Sequence, residues 1–210
     1  MMLKAPVVVV CGHYGVGKTN FALNLAHDAR AAGCAVTLVD LDVVNPYFRS
    51  SDYAKELAAC GVRGIAPVFA ALGPSLEVPS LTGAIVPAIE AAQQAIRTDA
   101  SAEFPSRMVI IDAGGDDAGA SALGRFSSAI SVGAYEMLYV VNERRNLTYT
   151  PAEAISILRE IEAKSNLHAT AVVNNTHLQK ETDASVVERG ISFARQTALQ
   201  AGLPLACTTV

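Results

Sequence analysis

The stretch VVVVCGHYGVGKTN, Val7 to Asn20, decides the fold. Four valines ahead of a glycine-rich turn read as a strand buried on both faces. Behind the turn, GKTNFALNLAHDARAAG reads as a helix that Gly33 closes. Between the two, Gly12-x-x-x-x-Gly17-Lys18-Thr19 has the Walker A spacing, at which a backbone folds around a phosphate. Glycines let successive N–H groups point inward, and the helix N-terminus adds favourable partial charge. Lys18 would reach the β- and γ-phosphates of a nucleotide, and the Thr19 hydroxyl would bind Mg²⁺. Over 210 residues a chance match is below about 1%. The turn is therefore read as a phosphate loop made of Gly12, His13, Tyr14, Gly15, Val16, Gly17, Lys18 and Thr19, with Asn20 beside it.

Outward from the loop, apolar runs of strand length alternate with helical patterns. CAVTLVDLD, VRGIAPV, RMVIIDAGG, EMLYVVN, HATAVVNN and LPLACTTV are the further strands. SDYAKELAACG is a short helix, and AIVPAIEAAQQAIRT a longer one that Pro87 should start late or kink. DAGASALGRFSSAIS reads as one helix. TPAEAISILREIEAK opens with a capping box, with Thr150 as cap, Pro151 first and Glu153 third. TDASVVERGISFARQTALQ carries Val187, Ile191 and Ala194 as its inward stripe. LGPSLEVPSLTG, with its prolines and glycines, is a loop. The fold class is α/β, a mostly parallel central sheet with helices on both faces, in the three layers of a P-loop NTPase. No linker or repeat divides residues 1–210, so a single nucleotide-binding domain is expected.

Composition narrows the function classes. Hydrophobic residues make up 51% and charged residues 17%, with a net charge of −4, which argues against nucleic acid or an anionic membrane as partner. No apolar run approaches the ~20 residues of a membrane span. MMLKAPVVVV runs straight into the loop without a cleavage-like segment, so a cytoplasmic protein is expected. Cys11, Cys34, Cys60 and Cys207 form no Cys-x-x-Cys pair, and Cys11 reads as a small buried hydrophobe.

The remaining polar clusters fall at strand ends, where parallel sheets bind ligands. MVIIDAGG puts Asp112 at a strand tip as a Mg²⁺ carboxylate, with Gly114 or Gly115 offering an N–H to a γ-phosphate. LVDLDVVNPYFR puts Asp40 and Asp42 on one side of a strand end, one for the metal shell and one for an attacking water. Arg144 and Arg145, at the tip of YVVNERRN, read as a solvated basic turn.

This ordered set resembles the MinD/ParA (CobQ/CobB/MinD/ParA, SIMIBI-class) group of P-loop ATPases across nearly the whole chain. The resemblance implies ATP and Mg²⁺ as ligands, with Asp42 orienting the hydrolytic water and Asp40 and Asp112 supporting the metal. It implies that Val43 to Arg49 is a first switch and DAGGDD a second. An Asn after a late strand would read adenine, which points to Asn174 with Asn175 as competitor. A guanine site of the common type uses Asn-Lys-x-Asp, which neither VNERRN nor VNNTHL supplies. In the group, a lysine near the start of the loop reaches across a nucleotide-dependent homodimer. Here His13 takes that place and Tyr14 replaces a glycine. His is shorter and mostly neutral at pH 7, so phosphate cradling should survive while activation by a second subunit is in question. The two residues either line the loop or form a pH-sensitive contact. Ending at LACTTV, the chain is expected to lack a terminal membrane-binding helix. The expected function is a slow Mg²⁺-dependent ATPase that acts as a conformational switch on a protein partner. The alternatives are a small-molecule kinase or ligase of the dethiobiotin-synthetase kind, a metal-centre maturation ATPase, or a nucleotide sensor without turnover.

Overall fold

The valines of Val7–Cys11 form strand β1 in the middle of the sheet, every one of them buried. The computed structural model describes residues 3–42, 50–66, 83–98, 104–145 and 148–209. Among the described residues the other strands are β2 (Ala35–Leu41), β3 (Arg63–Ile65), β4 (Arg107–Ala113), β5 (Tyr135–Val141), β6 (Ala171–Asn174) and β7 (Leu205–Thr208). They lie in the order β3-β2-β4-β1-β5-β6-β7, and every pairing is parallel. The chain lays down β4 on one side of β1 and then crosses to β5 on the other. That reversal opens a crevice above the C-terminal end of β1, where the loop begins.

Alternation along each strand feeds two cores. Val7 and Val9 of β1, with Ile111 of β4 and Tyr139 of β5, face α3 (Ile85–Thr98), α6 (Pro151–Ser165) and α7 (Ala184–Ala201). Val8 and Val10, with Leu38 and Ile110, face α1 (Lys18–Ala31) and α2 (Ala54–Ala59). Helices thus cover both faces of a parallel sheet, as the apolar runs require. No helix among the described residues is long and apolar enough to cross a membrane.

Three local expectations meet corrections. Pro87 neither delays nor kinks α3. It sits third in the helix, in the first turn, where the N–H it lacks has no intrahelical partner. DAGASALGRFSSAIS forms two helices, α4 (Asp117–Gly124) and α5 (Ser127–Ser131). At the break Gly124 lies where a side chain would press on the carbonyl of Lys164 at 2.7 Å, and Phe126 turns into the core. In α7 the buried positions are Val186, Gly190, Phe193, Ala194, Thr197 and Ala198, so Val187 and Ile191 flank the stripe. The α6 start matches its sequence pattern: Thr150 and Glu153 form the reciprocal capping box ahead of Pro151.

Candidate functional site

The loop of residues 12–17 joins β1 to α1 through left-handed glycines. Gly17, at φ 90°, is the N-cap of α1, and a side chain there would collide with the Asn175 amide. Asn175 uses that space to donate from Nδ2 to the Val16 carbonyl at 2.7 Å, clamping the loop from the end of β6. Its Oδ1 accepts from the Thr209 hydroxyl beyond β7. On the opposite side, Gly115 lies so close that a Cβ would stand 2.6 Å from Lys18 Nζ and 2.7 Å from Tyr14 N. Glycine is the only residue that allows this approach.

Lys18 is nearly buried, and its Nζ donates to the His13 carbonyl at 3.1 Å. Burial lowers its pKa, while the charges of Asp112 and Asp42 work against that shift. Asp112 is the last residue but one of β4, with its neighbours in register, Val10 on one side and Asp40 on the other. Only 1% of it is exposed, and neither carboxylate oxygen closes a hydrogen bond. Burial pushes its pKa up to about 7. Lys18 draws it down, Asp40 raises it, and the nearby Thr19 hydroxyl lowers it a little. Asp40 Oδ1 accepts from the Asp42 backbone N–H at 3.0 Å, which folds the acid pair into a tight, buried turn.

The structure therefore gathers Lys18, Thr19, Asp40, Asp42, Asp112 and Gly115 around one loop. Gly114 stands one step back, against Gly119 of α4, whose N-terminus Asp116 caps by accepting from Gly119 N at 2.8 Å. Among the described residues no three His, Cys, Asp or Glu side chains lie close enough to hold a metal by themselves. An orphaned, buried carboxylate beside a threonine hydroxyl nevertheless fits a divalent ion whose shell is completed by phosphate oxygens and water. The expected first switch, Val43 to Arg49, and the GPSLEVPS loop lie outside the described residues.

His13 is partly buried, and its pKa is lowered by burial first and by Lys18 second, which keeps it neutral. Tyr14 is 56% exposed on the loop's rim. Gly15 and Asn20 are also exposed, while Val16 packs into the core.

Asn174 is fully buried. Its Nδ2 donates to Thr208 Oγ1 at 3.3 Å and its Oδ1 accepts from Thr176 N at 3.1 Å, so its amide ties strand ends together. A cavity of about 780 Å³ opens beside this edge. Asn20, Asn24, Asn175, His177 and Thr208 line one end, and it runs along α1 towards Met108. Sequence reasoning did not anticipate the Asn175 clamp, the His177 wall or the approach of Arg145 to Gly15, whose hypothetical Cβ would lie 3.9 Å from the Arg145 side chain. The doubled Asn at the end of HATAVVNN was the sole local signal for the first. The other two depend on contacts between distant parts of the chain.

No protein-family model and no curated protein matches this chain. Among solved structures, the signal recognition particle receptor FtsY from Elizabethkingia anophelis in complex with GDP superposes with a TM-score of 0.57 at 20% identity, over 98% of this chain and 57% of that one. Signal recognition particle 54 kDa protein from Aeropyrum pernix K1, also in complex with GDP, gives 0.56 at 18% identity, over 99% and 42%. The cell division protein FtsY from Thermotoga maritima gives 0.59 at 18% identity, over 100% and 62%. The chain thus spans less than two thirds of the length of each. These likenesses show the P-loop NTPase fold of the broad class. They do not single out the MinD/ParA group within it.

Proposed function

We propose that this protein binds Mg²⁺ and a nucleoside triphosphate, ATP by preference, in the loop of residues 12–19. It hydrolyses the nucleotide slowly and uses the two nucleotide states to hold and release a protein partner. The observation that carries the reading is Asp112, sealed at the tip of β4 with both oxygens unpaired, beside Thr19 and Lys18. A buried carboxylate that has only the Lys18 charge to answer it, and no hydrogen bond closed to its oxygens, favours a further cation beside it. Thr19 and Asp112 would hold the magnesium, with Asp40 adding negative charge from the next strand. When bound, the ion neutralises charge on the phosphates.

The chain's own groups do the rest. Lys18 exchanges the His13 carbonyl for phosphate oxygens, and the loop N–H groups cradle the anion. Gly115, close to Lys18 and Tyr14, offers its N–H to the terminal phosphate, with Gly114 behind it. Asp42 orients the attacking water. Catalysis is positioning and charge stabilisation rather than covalent chemistry.

ATP is favoured because residues 174–178 contain no carboxylate to accept from the paired N–H donors of guanine. With the amides of Asn174 and Asn175 engaged inside the protein, adenine would lie in the adjoining cavity between Asn20 and His177. The GDP of two structural neighbours supports testing GTP beside ATP. A second reading, phosphoryl transfer to a small acceptor, draws on a cavity of about 420 Å³ next to Asp40, walled by Ser50, Leu57 and Arg63.

Calorimetry with Mg-ATP and Mg-GTP tests the site. Wild type should bind ATP more tightly than GTP, Lys18→Ala should abolish binding, and Asp42→Ala should bind without releasing phosphate. Unchanged affinity in Lys18→Ala would sink the assignment, and normal turnover in Asp42→Ala would remove that residue from its role. ADP formation that rises only with an added metabolite would favour the acceptor reading.

A further inference from the structure

The acids crowd one flank of the loop, and the other flank carries Arg145. In the order β4-β1-β5-β6, the turn leaving β1 has Asp112 and Gly115 on the β4 side and Asn142 to Arg145 on the β5 side. The turn bearing Arg145 is pinned. Its N–H donates to the Asn142 carbonyl at 3.2 Å, and its own carbonyl accepts from Thr148 N at 3.2 Å and Thr148 Oγ1 at 2.9 Å. Thr148 is fully buried.

From that fixed base the side chain crosses to the loop, where a Cβ on Gly15 would stand 3.9 Å from both its Cδ and its Nε. The Nε is buried and has no hydrogen-bond partner. Arg144 next door reaches Glu143 at 3.7 Å, whereas Arg145 has no such carboxylate among the described residues. A guanidinium stays charged at any pH a protein experiences, and a buried donor left unpaired is costly. The position therefore calls for an anion.

The neighbours do not compete for that role. Burial and, after it, the charge of Lys18 lower the pKa of His13 and disfavour its charged form. His177 lies on the same flank, with Nε2 3.7 Å from where a Cβ on Gly17 would stand. Burial and the charge of Arg145 together lower its pKa. The site is polarised, with carboxylates for the metal on one side and a fixed cation on the other.

We propose that Arg145 is a nucleotide-binding residue whose guanidinium takes phosphate oxygens of a bound nucleoside triphosphate on the flank opposite Asp112, supplying within one chain the permanent charge that His13 does not. This rests on reading residues 12–19 as a nucleotide site. It differs from the solvated basic turn that the sequence suggests, because the side chain lies on the loop.

The test is calorimetric titration of wild type, Arg145→Gln and Arg145→Lys with the Mg²⁺ complex of a non-hydrolysable ATP analogue and with Mg-ADP. Loss of a charge-assisted contact should weaken the analogue roughly 10- to 100-fold in Arg145→Gln. Arg145→Lys, which keeps the charge, should lose less, and without ligand Arg145→Gln should melt no lower than wild type. The imidazole pKa of His177, followed by NMR without nucleotide, should rise in Arg145→Gln. Analogue affinity within twofold of wild type overturns the proposal. If Lys18→Ala abolishes binding while Arg145→Gln leaves it intact, Arg145 alone is wrongly assigned. If wild type binds neither ATP nor GTP, the nucleotide reading fails and this inference falls with it.

Discussion

A carboxyl group such as that of Asp112, 1% exposed between β1 and β2 with no hydrogen bond to its oxygens, is a cost the ligand-free protein carries. The size of that cost depends on pH in a direction that can be worked out. Its folded pKa of about 7 lies above the reference value of 3.8, so the folded state holds the proton more tightly than the unfolded chain does. The stability this adds is fully present below pH 3.8 and is lost as pH rises through 7. The whole effect is at most about 4 kcal/mol, and less in Asp112→Asn because Lys18 then loses its foremost counter-charge. In EDTA, Asp112→Asn should be more stable than wild type at pH 8 and nearly equal to it at pH 4. Urea unfolding at both pH values checks this. Parallel pH profiles for the two proteins would show that Asp112 is not strained in the way its surroundings indicate.

Between elements, Gly190 does for α7 what Gly17 does for the loop. A Cβ on it would stand 2.8 Å from both Oγ1 and Cγ2 of Thr176, and that hydroxyl accepts the Glu143 N–H at 3.1 Å. One missing side chain therefore lets α7, the β6 end and the β5 turn meet. Alanine at 190 would gain about 1 kcal/mol of helix propensity but lose about 1–3 kcal/mol to overpacking. Since the obstacle includes the Cβ of Thr176 rather than the tip of a flexible chain, overpacking wins. Gly190→Ala should lower stability by up to about 2 kcal/mol in urea titrations. A gain instead would mean that α7 can slide away. The same contact explains what the sequence could and could not reveal. Strands, the glycine loop and the α6 cap are local patterns, and the structure forms each of them where the pattern lies. The two-helix split at Gly124, the shifted stripe of α7 and the Asn175 bond to Val16, 159 residues away, depend on partners remote in sequence. No periodicity encodes such pairings. Residues 12–19, Asp40, Asp42 and Asp112 were legible as a constellation because strand ends in a parallel sheet converge, whereas the flank held by Arg145 and His177 was not.

At the scale of the whole molecule, the question is whether one chain makes a complete site. A nucleotide sandwich of the MinD/ParA kind relies on a loop lysine that neutralises phosphate charge in the partner subunit. At the loop position that the sequence resemblance assigns to that lysine this chain carries His13, whose pKa is lowered by burial and by Lys18. Tyr14, 56% exposed, presents a bulky ring at the rim of the loop. Arg145, in contrast, comes to the loop from the same chain. These features together favour a self-sufficient protomer. Sedimentation velocity with Mg²⁺ and a non-hydrolysable ATP analogue, against Mg²⁺ and ADP, should show a monomer in both, and phosphate release per chain should not change with protein concentration. A dimer formed only with the analogue would mean that a sandwich forms with a neutral His13 in the place of the lysine, and catalysis would belong to the pair of subunits rather than to the chain.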